Sequence, residues 1–475
     1  MAEFFAGLYL RDCMLSIIIA LIVTAFVATF VLKGYKAQAI LMAGGIVLMV
    51  AAMLIGQDLP LPESASTGSQ WLDVFQFIKN TFSSQSAGLG LKIMAIAGFA
   101  FYMHEIGASE ALVRVLTRPL ARIKHMPYLF MAMCFVIGEF LSIFITSASG
   151  LGVLLMVTLY PLMRSVGLSR LSACAPIATA VAVEMGPGQG NVNFAAEIIG
   201  IDVVDYVVQY QMVVATAALL VIAVLHIVVQ KYFDVQSGHI ASEHRHLNEK
   251  LETHEKQYEG NAPAPTIYAI LPVIPLVLIF TFSKLMISSI KMDVTTAMLV
   301  SIVLTLGFEF VRRDNAKAVV DSIQIFFDGM GRQFANVVTF IVAGQTFAQG
   351  LKTIGAIDVI VNAAESAGFG PILMTIVMVA IIMVSAILMG SGNAAFFSFA
   401  NLVPEIAGKM GIAPVMMLLP MQFVAGMSRN ISPIAPNMVA IAGVADVSPF
   451  ELAKRTTVPM LGGILISVFV SITSF

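Results

Sequence analysis

Gly186-Pro187-Gly188-Gln189-Gly190-Asn191 cannot continue an α-helix. Three glycines and a proline within five residues remove both stiffness and a backbone donor. The stretch nonetheless interrupts an apolar segment running from about 170 to 200. Lipid offers no partner to a freed N–H or C=O, so a helix broken at membrane depth survives only where protein encloses it or where it lines a cavity. About 243 residues further on the device returns as Arg429-Asn430-Ile431-Ser432-Pro433, inside 412–445. Each break follows a second kind of interruption, Ser147-Ala148-Ser149-Gly150-Leu151-Gly152 in one half and Gly390-Ser391-Gly392-Asn393 in the other. Paired interruptions at matching places in two halves of a membrane chain mark a transporter's binding site.

Composition agrees. Of 475 residues 59% are hydrophobic and 11% charged, against roughly 25% charged in soluble domains. Mean hydropathy is +0.92, and several apolar runs reach the roughly 20 residues that cross a bilayer. The chain therefore reads as an all-α polytopic membrane protein; a β-barrel would show short alternating segments. The net charge of −2 and the lack of a basic stripe exclude a nucleic-acid partner. Cys13, Cys134 and Cys174 sit in apolar contexts without metal-ligand spacing, so neither a metal nor a cofactor is expected. The first apolar run, Met14 to Leu32, is long enough to span and lacks a small-residue cleavage site.

Expected spans are about 13–32, 37–56, 90–106, 127–146, 148–165, 170–200 (broken), 205–231, 266–286, 293–312, 333–351, 371–389, 392–408, 412–445 (broken) and 457–473. Ser109 to Lys124 has the pattern of an interfacial amphipathic helix. Phe233 to Ala264 is hydrophilic and holds His239, His244, His246 and His254; its loose spacing and mixed charge favour a solvated linker over a metal site. The organisation is thus 1–231, a cytoplasmic linker 232–264, and 265–475, with Ala97-Gly98 through Ile106-Gly107-Ala108 answered by Ala343-Gly344 through Ile354-Gly355-Ala356. With 127–165 and 371–408 as re-entrant hairpins, each half has about five crossings, and five being odd, the second half is inverted. Placing Lys33 and Lys36 inside puts 14 Lys and Arg on the cytoplasmic side against 7 outside, leaving out the linker.

Ser147, Ser149, Gly150, Ser391, Gly392 and Asn393 at the tips, and Gly190, Asn191, Asn430, Ser432, Pro433 and Asn437 at the breaks, supply hydroxyls, amides and freed N–H groups. Half-helix N-termini carry partial positive charge and attract anions. Arg429 is a cation that no loop accommodates. An arginine at mid-membrane costs about 3 kcal/mol or more on insertion scales, and its fork fits a carboxylate. That carboxylate is a substrate's, or a protein's; Glu184 and Glu139 are the protein candidates, and either could bind a coupling ion.

Leu32-Lys33-Gly34-Tyr35, Ser66-Thr67-Gly68, Gly98-Phe99-Ala100-Phe101-Tyr102-Met103, Gly150 through Met156, Phe334 through Val338, Phe347 through Leu351, Gly390 through Ala394 and Ser448-Pro449-Phe450-Glu451 resemble the anaerobic C4-dicarboxylate transporters of the DcuC family. The family is similar to the wider group that includes the divalent-anion/sodium symporters. The resemblance implies homodimers with a scaffold and a moving, elevator-type transport domain. It also implies fumarate and succinate as substrates, with succinate efflux in fermentation.

The sequence reading is then a secondary transporter of small dicarboxylates (succinate, fumarate, with malate or aspartate as further candidates) in a bacterial inner membrane, coupled to protons, to sodium or to exchange. A transporter of another organic anion or amino acid is the alternative. A membrane enzyme is disfavoured, since the spans hold no Ser/His, Cys/His or HExxH set.

Overall fold

The computed structural model describes residues 2–33, 35–56, 61, 65–118, 125–239, 264–313, 315–366 and 368–475. The amino-terminal half runs α1 (Ala2–Leu32), α2 (Ala37–Leu54), α3 (Gln70–Ala87), α4 (Leu89–Glu105), α5 (Ala108–Thr117), α6 (Pro127–Ser142), α7 (Ala148–Ser165), α8 (Arg170–Ala178), α9 (Gly190–Ile199), α10 (Val203–Tyr206) and, after a π-turn at Val207–Gln211, α11 (Met212–Gln236). A 3₁₀ segment, Thr266–Val273, opens the other half. It continues with α12 (Ile274–Thr281), α13 (Val294–Arg312), α14 (Ala316–Ser322), α15 (Gln324–Gln333), a second π-turn at Phe334–Val338, α16 (Thr339–Thr353), α17 (Ala356–Ser366), α18 (Pro371–Met389), α19 (Gly392–Phe399), α20 (Val403–Lys409), α21 (Pro414–Arg429), α22 (Pro436–Ala445) and α23 (Pro449–Ser474). Among the described residues seven helices are long and apolar enough to cross a membrane, or eight if α3 and α4, bent by 46°, count as one.

The two halves repeat one order: a long span running into an amphipathic helix, a hairpin, a broken helix and a terminal span. Gly107 and Gly355 both have φ of +76° where the long span turns into the amphipathic helix, a left-handed value that glycine alone adopts without cost. The halves are pressed together through small residues, as helices in lipid require. A Cβ on Gly45 of α2 would lie 2.4 Å from Thr346 O of α16, and one on Gly98 of α4 would lie 2.5 Å from Phe326 O of α15.

The hairpins are exchanged between halves. α6 and α7 share their core with Met438, Ile441 and Ala442 of α22. α19 shares its core with Val192, Phe194 and Ala195 of α9; Phe194 meets Phe396 and Phe397 edge-on at 5.9 and 5.0 Å. Each hairpin therefore clamps the segment that follows the other half's break.

Three elements depart from the sequence reading. α3 is a full helix where no span was expected, because Gln76, Lys79 and Asn80 dilute its hydropathy while Val74 and Thr81 are buried. α23 begins at Pro449, not near 457: proline is favoured at the first helical position, so the polar Glu451–Arg455 stretch is the helix's own first turns. α5 turns its apolar side onto protein rather than lying free, and Arg114 Nη2 donates to Ala264 O at 2.6 Å. The carboxyl-terminal part of that expected helix, 119–124, and the histidines His244, His246 and His254 lie outside the described residues.

Candidate functional site

The first break begins where α8 ends. From Thr179 the chain runs non-helically to Gln189, with Glu184 at φ +47° and Gly186 at φ +101°. A non-glycine residue in the left-handed region costs on the order of 1 kcal/mol and persists only when its surroundings hold it. They do so thoroughly. The amides of Ala182 and Val183 donate to Glu139 Oε1 at 2.8 and 3.1 Å, the amide of Gly186 donates to Gln211 Oε1 at 2.9 Å, and Gln189 Nε2 donates to Ser142 O at 2.8 Å. Asn193 Nδ2 donates to Pro187 O and Gln189 O, both at 2.8 Å. Gln211 Nε2 and Gln422 Nε2 reach Glu184 O at 3.3 and 3.4 Å, and Tyr206 OH donates to Gln422 Oε1 at 2.7 Å.

The second break is Asn430 to Ala435, between α21 and α22. Asn437 Nδ2 donates to Asn430 Oδ1 at 2.8 Å and to Ala178 O, at the edge of the first break, at 3.0 Å. Thr456 Oγ1 donates to Asn430 O at 2.6 Å.

Arg429 joins the two. It is the last residue of α21 and 8% exposed. Its Nη1 lies 2.6 Å from Glu184 Oε1, its Nη2 donates to Val181 O at 2.5 Å, and Asn191 Nδ2 donates to the other oxygen of Glu184. Of the two carboxylates the sequence offered, Glu184 is thus the partner. Glu139 is fully buried and braces the backbone instead, with Oε2 lacking any hydrogen-bond partner in the protein. Gly426 makes the approach possible: a Cβ there would lie 2.5 Å from Ala182 O and 3.2 Å from Glu184 Cδ.

The two tips differ. Gly392 is buried under α21, where a Cβ would lie 2.1 Å from Ala425 O. Ser391 Oγ caps α19 by accepting from the Ala394 amide at 3.2 Å, and Asn393 Oδ1 is buried without a partner. At the first tip Ser147 caps α7 by accepting from the Gly150 amide at 3.1 Å, but Ser147 and Gly150 are exposed and Ser149 is half-buried. The structure therefore gathers Glu139, Glu184, Asn191, Gly392, Asn393, Arg429, Asn430, Ser432 and Asn437 about one crossing point. Gly190 opens α9 beside it, Pro433 is half-buried in the second break, and Ser147, Ser149 and Gly150 stand apart.

Sequence reading missed Gln189, Tyr206, Gln211 and Gln422, whose polarity inside apolar spans was the available signal. It also placed Arg455 in a loop. Arg455 is buried within α23, with Nη1 2.9 Å from Asp234 Oδ1 and 2.9 Å from Ser172 Oγ; Ser169 Oγ donates to the same carboxylate at 2.6 Å. A cleft of about 440 Å³ reaches the first break at Asn193, walled by Lys92, Lys284 and Lys291 together with Glu197, Asp202 and Asp293.

Broken helices facing each other across a buried cation, held by crossed hairpins, define a multi-pass membrane transporter. Two solved transporters share the fold. Alcanivorax borkumensis YdaH superposes with a TM-score of 0.62 at 14% identity, covering 92% of this chain and 98% of that one. Neisseria gonorrhoeae MtrF, described as illuminating a class of antimetabolite efflux pumps, gives 0.57 at 13% identity over 91% and 94%. The C4-dicarboxylate anaerobic carrier family, DcuC, matches residues 15–475, and the chain belongs to it. A probable anaerobic C4-dicarboxylate transporter DcuC of Vibrio cholerae is 35% identical over 95% of this chain and 96% of its own length. The anaerobic C4-dicarboxylate transporter DcuC of Escherichia coli K12 is 34% identical over 95% of both.

Proposed function

We propose that this protein is a secondary active transporter of succinate and fumarate, with malate or aspartate as further substrates, in a bacterial inner membrane. It works as a homodimer by an elevator mechanism, in which two inverted repeats, 1–231 and 265–475 joined by a cytoplasmic linker, supply one shared site. It acts by transport rather than catalysis, as its named relatives do.

One observation carries this reading. The guanidinium of Arg429 is buried between the two breaks with Nε lacking a partner; Ser428 Oγ and Ser432 Oγ on the same stretch, and Asn393 Oδ1 at the second tip, are buried and equally unmatched. Buried polar groups in native proteins are otherwise satisfied, so this concentration suits a polar ligand. The cation and the N-terminus of α19 select a carboxylate, and the hydroxyls and amides select a second polar end. The test is counterflow of labelled succinate in proteoliposomes, with fumarate, malate, aspartate and a monocarboxylate as competitors. Competition by the dicarboxylates and its loss in Arg429→Ala are expected. An Arg429→Ala protein with unchanged affinity and rate would overturn the anchor role.

A further inference from the structure

We propose that Glu184 is a built-in stand-in for the substrate's carboxylate: it neutralises Arg429 between transport cycles, yields the guanidinium to the incoming anion, and binds a proton as it does so. This role rests on reading Arg429 as the anion anchor.

Glu184 already occupies the place a substrate carboxylate would take, one oxygen on Arg429 Nη1 and the other on Asn191. A buried ion pair adds little stability over an apolar one, so its value lies in what it exchanges for. The hold on Arg429 is divided. Nη2 is held separately by Val181 O, which leaves the guanidinium an anchor of its own while Nη1 changes partner.

Charge then fixes the consequence. The groups facing Glu184 are Arg429 and Gln422 from α21, Asn191 from α9, Gln211 and Tyr206 from around the first π-turn, and Glu139 from α6, which lies within electrostatic reach of both members of the pair. None of them is a second cation. Once a substrate carboxylate holds Arg429, an ionised Glu184 would be buried, unpaired and beside another acid, with the full penalty of an uncompensated charge. Proton uptake removes that cost. One ionic contact breaks, one forms, and one proton passes from solution to a Glu184 oxygen, whose acid O–H can donate to Asn191 Oδ1 once that amide turns over. Substrate and proton enter together and leave together.

Two measurements test it. The purified wild-type protein, mixed with succinate in weakly buffered solution near neutral pH, is expected to take up one proton per succinate bound, and Glu184→Gln none. In proteoliposomes the ratio of pH-gradient-driven uptake to succinate counterflow is expected to fall about tenfold or more in Glu184→Gln and to recover partly in Glu184→Asp. Wild-type binding without proton uptake overturns the proposal, and so does a wild-type ratio in Glu184→Gln, which would move the proton elsewhere, Glu139 first. A parallel loss of both activities in Glu184→Gln and Glu184→Asp also overturns it, since that is the signature of a merely structural pair. Should Glu184→Gln fail to fold, Glu139→Gln decides: proton uptake per succinate retained there is expected, and its loss there overturns the proposal. Failure of the underlying reading looks different: no succinate counterflow in the wild type, or an indifferent Arg429→Ala.

Discussion

The two breaks solve one physical problem in opposite ways. Around the first, Glu139, Gln189, Asn193 and Gln211 take up the freed backbone groups, and among the described residues no side chain from Val181 to Asn193 is buried without a partner. Around the second, Ser428, Arg429 and Ser432 are buried and left with unmatched atoms. The first break is nearly complete, with Glu139 Oε2 the one unmatched atom among its bracing side chains and an acid at its centre. The second is an unfinished one with a cation, and it is the second that asks for a ligand. The tips follow the same division: the second is wedged under α21 at Gly392, while the first stands exposed at Ser147.

The largest expected effect tests that division directly. Arg429→Ala should lower succinate counterflow about 100-fold or more, since truncating one member of a buried charge pair costs roughly 2–5 kcal/mol; Asn191→Ala in the first break should cost about tenfold, one hydrogen bond to a charged group. Equal losses would break the comparison. Next, Arg455→Ala should lower stability by about 3 kcal/mol or more, read as thermal unfolding in detergent. Its damage should be to folding, with the substrate affinity of surviving protein little changed, because the Asp234 pair has no unmatched atoms. Gly392→Ala should cost about 1–3 kcal/mol by forcing a methyl onto backbone. Gly152→Ala in the first hairpin should cost under about 1 kcal/mol, because there the Cβ meets Ile441 Cδ1 at 2.9 Å, the movable end of a side chain. Of comparable size, Ser147→Ala and Ser391→Ala should each cost about 1 kcal/mol, as lost helix caps do; a much larger loss at Ser391 would mean that its hydroxyl also meets the ligand.

Much of this was legible because glycine and proline cannot hide. The breaks at 186–191 and 429–433, the tips and the twofold order all follow from where helix becomes impossible, and Arg429 announced itself by its cost in an apolar setting. What was not legible depended on packing between distant segments. Glu184 stood ahead of Glu139 as a partner of Arg429 by its matching place in the first half, and the crossing of α21 over the first break is what brings the two together. The exposure of Ser147 is not written in the tip, whose residues match those of the buried tip; it depends on what α22 leaves uncovered. Arg455 resembled a loop residue because its partner, Asp234, lies 221 residues away. α3 failed because averaged hydropathy cannot register a helix with one wet side.

The exchange of hairpins between halves also sets a timetable. Val181, which holds Arg429, is synthesised 248 residues before it. At about 5–20 residues per second that interval is roughly 10–50 s. Through it Glu184 and Glu139 must reside in the membrane with no arginine to answer them, and α9 must wait for the phenylalanines of α19. The candidate site is therefore completed late, and a chain truncated before α21 would present two uncompensated acids to the cell's membrane quality control.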